Sequence, residues 1–130
     1  MTTVPRLDHI NLCVPETVDG TSGTDAEAAW LAALGYRRAE PGPEASRLGT
    51  LNWFEADDGT QVHLTVDPNH APSAAAHTAI RLGDALDATI TQLEMSGHRC
   101  STIAFDGDRH VFATDPAGNL WELIGPLAAS

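Results

Sequence analysis

The chain predicts an α+β fold of two βαβββ modules, and three observations carry that prediction. The order strand, helix, three strands is written twice along 130 residues. A histidine stands near the start of the first strand of each copy, His9 and His77. Each copy closes on a hairpin in which a glycine stands four residues before a ligand-capable side chain, Gly59 before His63 and Gly118 before Glu122.

The first strand is Leu7 to Val14, where Ile10, Leu12 and Val14 alternate with His9, Asn11 and Cys13 at period two. Thr24 is placed to cap a helix with Glu27 three residues on, and Ala28, Leu31, Ala32 and Leu34 recur at helical spacing until Gly35 ends it. Tyr36 to Ala39 starts a second strand, and the turn-rich Glu40 to Ser46 reads as a loop. Thr50 to Glu55 and Gln61 to Val66 flank an Asp58-Gly59 step, a strong hairpin signal. A linker over about residues 68–75, with Pro68, Asn69 and Pro72, separates the modules, which span about 6–67 and 76–125 of one domain covering residues 1–130. In the second module His77 to Leu82 alternates again, and Asp84 to Met95 is helical until Gly97. Strands Arg99 to Thr102, His110 to Ala113 and Asn119 to Ile124 follow, joined by the polar loop around Asp106-Gly-Asp108 and the turn Asp115-Pro-Ala-Gly118.

Composition excludes whole classes of function. Eighteen acidic against seven basic side chains give a formal charge of −11, a field that repels nucleic acid and anionic lipid. All seven basic residues are arginines, so Schiff-base chemistry and a P-loop lysine are absent. No apolar run reaches membrane-spanning length and Met1 to Pro5 is unlike a signal peptide, which points to the cytoplasm. Cys13 and Cys100 are expected as reduced thiols.

His9, His63, His77 and Glu122 lie on strands whose apolar neighbours, Ile10, Val62, Leu64, Trp121 and Leu123 among them, face the helices. The four side chains therefore point the other way. If the two sheets close around a common groove, three imidazoles and one carboxylate meet there, a donor set suited to Zn, Fe, Mn, Co or Ni. Strand parity adds Asn11 and Cys13 to the His9 face, Gln61 and Thr65 to that of His63, and Arg81 to that of His77. Arg81 offers a planar fork for a carboxylate or enolate oxygen, with a rim salt bridge as the competing reading. Trp53, Phe54 and Phe112 divide between pocket lining and core packing, and Trp30 falls on a helix face. His70, His98 and His110 read as bystanders, in a linker, after a helix-ending glycine and at the start of a strand beside a loop.

Leu7-Asp-His-Ile-Asn-Leu12, His77-Thr-Ala-Ile-Arg-Leu82 and above all His110-Val-Phe-Ala-Thr-Asp-Pro-Ala-Gly-Asn-Leu-Trp-Glu-Leu-Ile124 resemble the vicinal oxygen chelate superfamily over about residues 6 to 125. That superfamily includes glyoxalase I, bleomycin-resistance proteins, extradiol dioxygenases, fosfomycin-resistance thiol transferases and methylmalonyl-CoA epimerase. The resemblance implies a cupped mixed sheet, usually within a homodimer, with a divalent metal ion held at the positions of His9, His63, His77 and Glu122. At the position of His63 glyoxalase I typically has glutamate and the epimerase glutamine. The dioxygenases and fosfomycin enzymes use two histidines and a glutamate, matching His9, His77 and Glu122. His63 is then a fourth ligand or a nearby acid/base. The thiol transferases carry threonine where this chain has Asn11, and they use a lysine that it lacks.

The leading expectation is a metal-dependent enzyme of isomerase, epimerase or lyase type, acting on a small substrate with vicinal oxygens. Glu122 and His63 are its expected catalytic groups, and Arg81, Asn11 and Trp53 its substrate-binding ones. Two other readings stand beside it. One is a metal-free, bleomycin-resistance-like protein that sequesters a ligand, for which the negative charge favours a cationic one. The other is an Fe(II) extradiol-type dioxygenase.

Overall fold

Alternation at period two places Ile10, Leu12 and Val14 on one face of β1 (His9–Val14), with His9, Asn11 and Cys13 on the other. The structure, a computed structural model, describes residues 3–49 and 52–127. After β1 comes a two-stranded hairpin absent from the sequence expectation, β2 (Thr17–Val18) paired antiparallel with β3 (Thr21–Ser22). Its turn is Asp19-Gly20, both at positive φ, the backbone that a two-residue hairpin turn requires.

Helix α1 (Gly23–Leu34) is capped by Ser22, whose hydroxyl accepts from the Asp25 backbone N–H at 3.1 Å, and not by Thr24. With the cap moved two residues back, Glu27 is released from the capping role and turns inward, fully buried. Gly35 ends the helix at φ 103°, as its position predicts. Strand β4 (Arg37–Ala39) follows. Part of the expected loop is then a short helix, α2 (Pro43–Ser46), because proline at the first helical position brings the required φ and needs no N–H partner. Strands β5 (Asn52–Glu55) and β6 (Gln61–Val66) form the expected hairpin, while Thr50 and Leu51 lie outside the described residues.

In the second module β7 (His77–Arg81) leads through a 3-10 turn at Gly83–Ala85 into α3 (Leu86–Met95). Strand β8 occupies Ser101–Phe105, later than the expected Arg99 to Thr102, because it pairs across a tight Asp106-Gly107 turn with β9 (Asp108–Thr114). Strand β10 (Leu120–Pro126) is the last element among the described residues.

Each module is a four-stranded mixed sheet, in order β1-β6-β5-β4 and β7-β10-β9-β8. The first and last strands of a module run parallel and its other neighbours antiparallel. One hydrophobic core serves both modules: Val14, Phe54, Val62 and Leu64 from the first sheet meet Val111, Ala113, Trp121 and Leu123 from the second, with Trp30, Leu31, Leu86 and Leu93 of the helices between. Each large side chain so buried contributes about 1.5–3 kcal/mol, so the shared interior joins the modules into one unit. No helix among the described residues is long and apolar enough to cross a membrane.

Candidate metal centre on two sheet faces

The faces turned away from the core carry the chemistry. On the first sheet the register Asn11↔His63 and Trp53↔His63 puts His9, Asn11, His63, Thr65 and Trp53 side by side. The His63 ring is sandwiched, 4.0 Å from the His9 centroid and 4.3 Å from that of Trp53, almost parallel to both. Its Nε2 lies 2.8 Å from Gln61 Oε1, while the Gln61 amide nitrogen donates to Glu55 at 3.1 Å, so the glutamine oxygen faces the imidazole and takes its N–H. Burial first, and then the neighbouring His9, push the His63 imidazole below its ordinary pKa. His9 is held differently. Its Nδ1 donates to Asp8 at 2.7 Å, which leaves Nε2 as the open lone pair. Asn11 is spent on Thr65, with amide and hydroxyl 3.1 Å apart.

On the second sheet His77 repeats the arrangement of His9. Its Nδ1 donates to the Ala75 carbonyl at 2.9 Å, and its Nε2 stands 3.6 Å from Glu122 Oε1. The other carboxylate oxygen of Glu122 accepts from His110 Nδ1 at 3.1 Å. Phe112 lies edge-on to His77 with centroids 6.0 Å apart. Arg81 shares this face and pairs with Asp108 at 3.3 Å, the rim salt bridge that competes with a role toward substrate. Phe54 is core, 1% exposed, as is Trp30.

The predicted parity therefore holds at every one of the four candidate positions, but one chain brings them together as two pairs, His9 with His63 and His77 with Glu122. Among the described residues of one chain, no group of three or more His, Cys, Asp or Glu side chains is placed to hold a metal ion. His70 and His98 are structural, bonded to the Ala117 carbonyl at 2.9 Å and set edge-on to Trp30. His110, which reads as a bystander from its place in the sequence, is hydrogen-bonded to Glu122. Counting two residues across the β9–β10 register would have put it on the Glu122 face.

Three solved structures share this fold nearly end to end. A glyoxalase family protein from Bacillus anthracis superposes with a TM-score of 0.74 at 21% identity, covering 98% of this chain and 99% of that one. The fold is that of the vicinal oxygen chelate superfamily. A glyoxalase/dioxygenase from Nostoc punctiforme matches with a TM-score of 0.70 and 18% identity over 98% of each chain. The fosfomycin resistance protein FosX from Listeria monocytogenes, in a complex with Mn(II) and sulfate, matches with a TM-score of 0.67 and 16% identity over 96% of this chain and 95% of that one. No family model and no curated protein matches the sequence.

The donors that this chain presents are of the kind a divalent cation takes. His9 and His77 each tie Nδ1 to an acceptor and leave Nε2 open, the second-shell pattern that orients histidine toward a metal. Glu122 leaves Oε1 open in the same way. His63 has the same state with its nitrogens exchanged, Nε2 tied to Gln61 and Nδ1 left open.

Proposed function

We propose that the protein is a divalent-metal-dependent enzyme acting on a small substrate with two neighbouring oxygens, and that its site is assembled from two copies of the chain. What supports this best is the common state of the donors: His9, His77 and Glu122 each have one polar atom anchored by the protein and one left open. In this reading His9 of one copy and His77 with Glu122 of a second hold the cation. The ion supplies Lewis-acid polarisation of the substrate oxygens.

His63 is left free for proton chemistry. Its ring is held in place by Trp53 and His9 and kept neutral by its surroundings, so it accepts a proton at the nitrogen that Gln61 does not engage. Trp53 and Phe112 supply flat apolar walls for the substrate. Isomerase, epimerase or lyase chemistry follows from one proton moved at a carbon beside an oxygen.

The pairing of copies rests on the two incomplete half-sites and on exposed apolar side chains. Ile103 and Phe105, on the edge strand of the second sheet, lie in the open on the same side as Glu122. Such side chains on a sheet edge gain by being covered. The test is metal content by elemental analysis, together with turnover of 2-oxo, hemithioacetal, catechol and CoA-thioester substrates in metal-supplemented buffer. Stoichiometric metal with isomerisation or elimination supports the proposal. Oxygen-dependent ring cleavage of a catechol would instead select Fe(II) dioxygenase chemistry, and a metal-free protein that binds a basic drug would select sequestration.

A further inference from the structure

We infer that His110 is a positioning residue that makes Glu122 a one-oxygen donor to the groove, an inference that rests on the cation site proposed above. The argument begins with register. In the antiparallel pair β9–β10, Glu122 lies opposite Phe112 and Ile124 opposite His110, so His110 is the diagonal neighbour of Glu122 on the same face. At that spacing two long side chains reach each other.

Burial makes the contact obligatory. The His110 residue is 7% exposed, and a polar ring withdrawn from water to that degree needs a hydrogen-bond partner. That partner is Glu122 Oε2, 3.1 Å from Nδ1. A carboxylate oxygen accepts only, so Nδ1 carries the proton. Phe105, arriving from β8 through the register that pairs it with Asp108, lies flat on the imidazole with centroids 3.6 Å apart and planes 10° from parallel. The ring is thereby held in one plane, and its N–H has one direction.

The effect falls on the other end of the carboxylate. With Oε2 taken, Glu122 keeps Oε1 for the groove, where His77 Nε2 stands at 3.6 Å, beyond ordinary hydrogen-bond reach. Both atoms stay open and side by side. Without His110 the carboxylate would be free to rotate about its last bond, and either oxygen, or both, would face the groove. The neighbouring Arg109 cannot substitute, since its guanidinium is committed to Asp87 at 2.7 Å and to the Pro126 carbonyl at 2.8 Å.

Two variants separate positioning from packing. His110→Phe keeps a ring for Phe105 to stack on and removes the donor, whereas His110→Asn keeps a donor near the position of Nδ1 and removes the ring. Titration of the purified protein with Mn(II) and with Zn(II) should show affinity falling roughly 10- to 100-fold in His110→Phe and by no more than about threefold in His110→Asn. In the metal-free protein, 15N NMR should find His110 protonated at Nδ1, and Glu122→Ala should shift that tautomer toward Nε2–H. Equal losses in the two variants, or a tautomer indifferent to Glu122→Ala, would overturn the role of His110 while leaving the cation site standing. A wild-type protein that takes up neither metal overturns the site and this inference together.

Discussion

The imidazoles of His9 and His63 stack with centroids 4.0 Å apart and planes 16° from parallel, yet their hydrogen bonds leave opposite ring nitrogens open. Asp8 takes the Nδ1 proton of His9 and frees Nε2, while Gln61 occupies Nε2 of His63. A ligand role for His63 would have to use Nδ1, the nitrogen that Gln61 leaves open, with the chain from Gln61 to Glu55 intact. We expect His9→Ala, His77→Ala and Glu122→Ala each to weaken Mn(II) binding by about 100-fold or more, and His63→Ala by less than about tenfold. Calorimetric titration of the four variants checks this. A loss in His63→Ala equal to that in His9→Ala would make His63 a fourth ligand.

Two half-sites on separate sheets predict complementation. If the His9 half of one copy faces the His77–Glu122 half of another, a mixed dimer of His9→Ala and Glu122→Ala chains carries one site with both defects and one with neither. Unfolding and refolding the two variants together should then restore about a quarter of the wild-type metal content per chain, for random pairing. Either variant refolded alone should bind almost none. A mixture that stays empty would place all the ligands of a site within one chain, and sedimentation of the same samples reports whether dimers formed.

Side-chain parity was legible in the sequence because a strand has one period and a register slip would bury His63 or expose Val62. The outward set His9, Asn11, His63, His77 and Glu122 followed from that rule alone, and so did the boundaries of β6. Other features escaped, for separate reasons. The β2–β3 hairpin has strands of two residues, too short for any alternation, although its Asp19-Gly20 turn is in plain view. The helix cap went to Ser22 because Gly23 lets the chain pass close to Pro15, a tertiary approach that no local spacing encodes. His110 depends on a diagonal contact across two strands, so its role emerges only when the register is fixed. The pairing of the half-sites is a property of assembly, which period and propensity do not carry.

Gly23 supplies a stability prediction. A Cβ built on it would overlap the Pro15 carbonyl oxygen, a backbone atom that cannot swing aside, while the Gly23 N–H donates to the Glu16 carbonyl at 2.9 Å. Gly23→Ala must therefore move the start of α1 away from the β1 end, with an expected cost of about 3 kcal/mol, the upper part of the usual overpacking range. Gly42, where a Cβ meets nothing within 4 Å, is the control. Gly42→Ala should cost well under half as much. Urea denaturation compares the two, and equal midpoints would mean that the α1 start relaxes without strain.

Glu27 sets the last prediction, because it is a fully buried carboxyl whose two oxygens have no hydrogen-bond partner in bonding geometry among the described residues. Burial, and then the Asp115 carboxylate beside it, raise its pKa from 4.5 to about 10. Asp115 accepts from the Ala117 and Asn119 backbone N–H groups and from Trp121 Nε1. The folded chain thus keeps a proton that the unfolded chain releases above pH 4.5, so this group's contribution favours folding least at high pH. The Glu27 contribution should fall steadily as pH rises from about 4.5 toward 10, and at pH 7 its deficit is about 3 kcal/mol. Glu27→Gln keeps the shape and removes the ionisation. The variant should match wild type near pH 4, melt progressively higher than wild type as pH rises to 9, and show a flatter pH profile. Parallel profiles for the two proteins across that range would mean that Glu27 is ionised in the folded state, paired with a group other than Asp115.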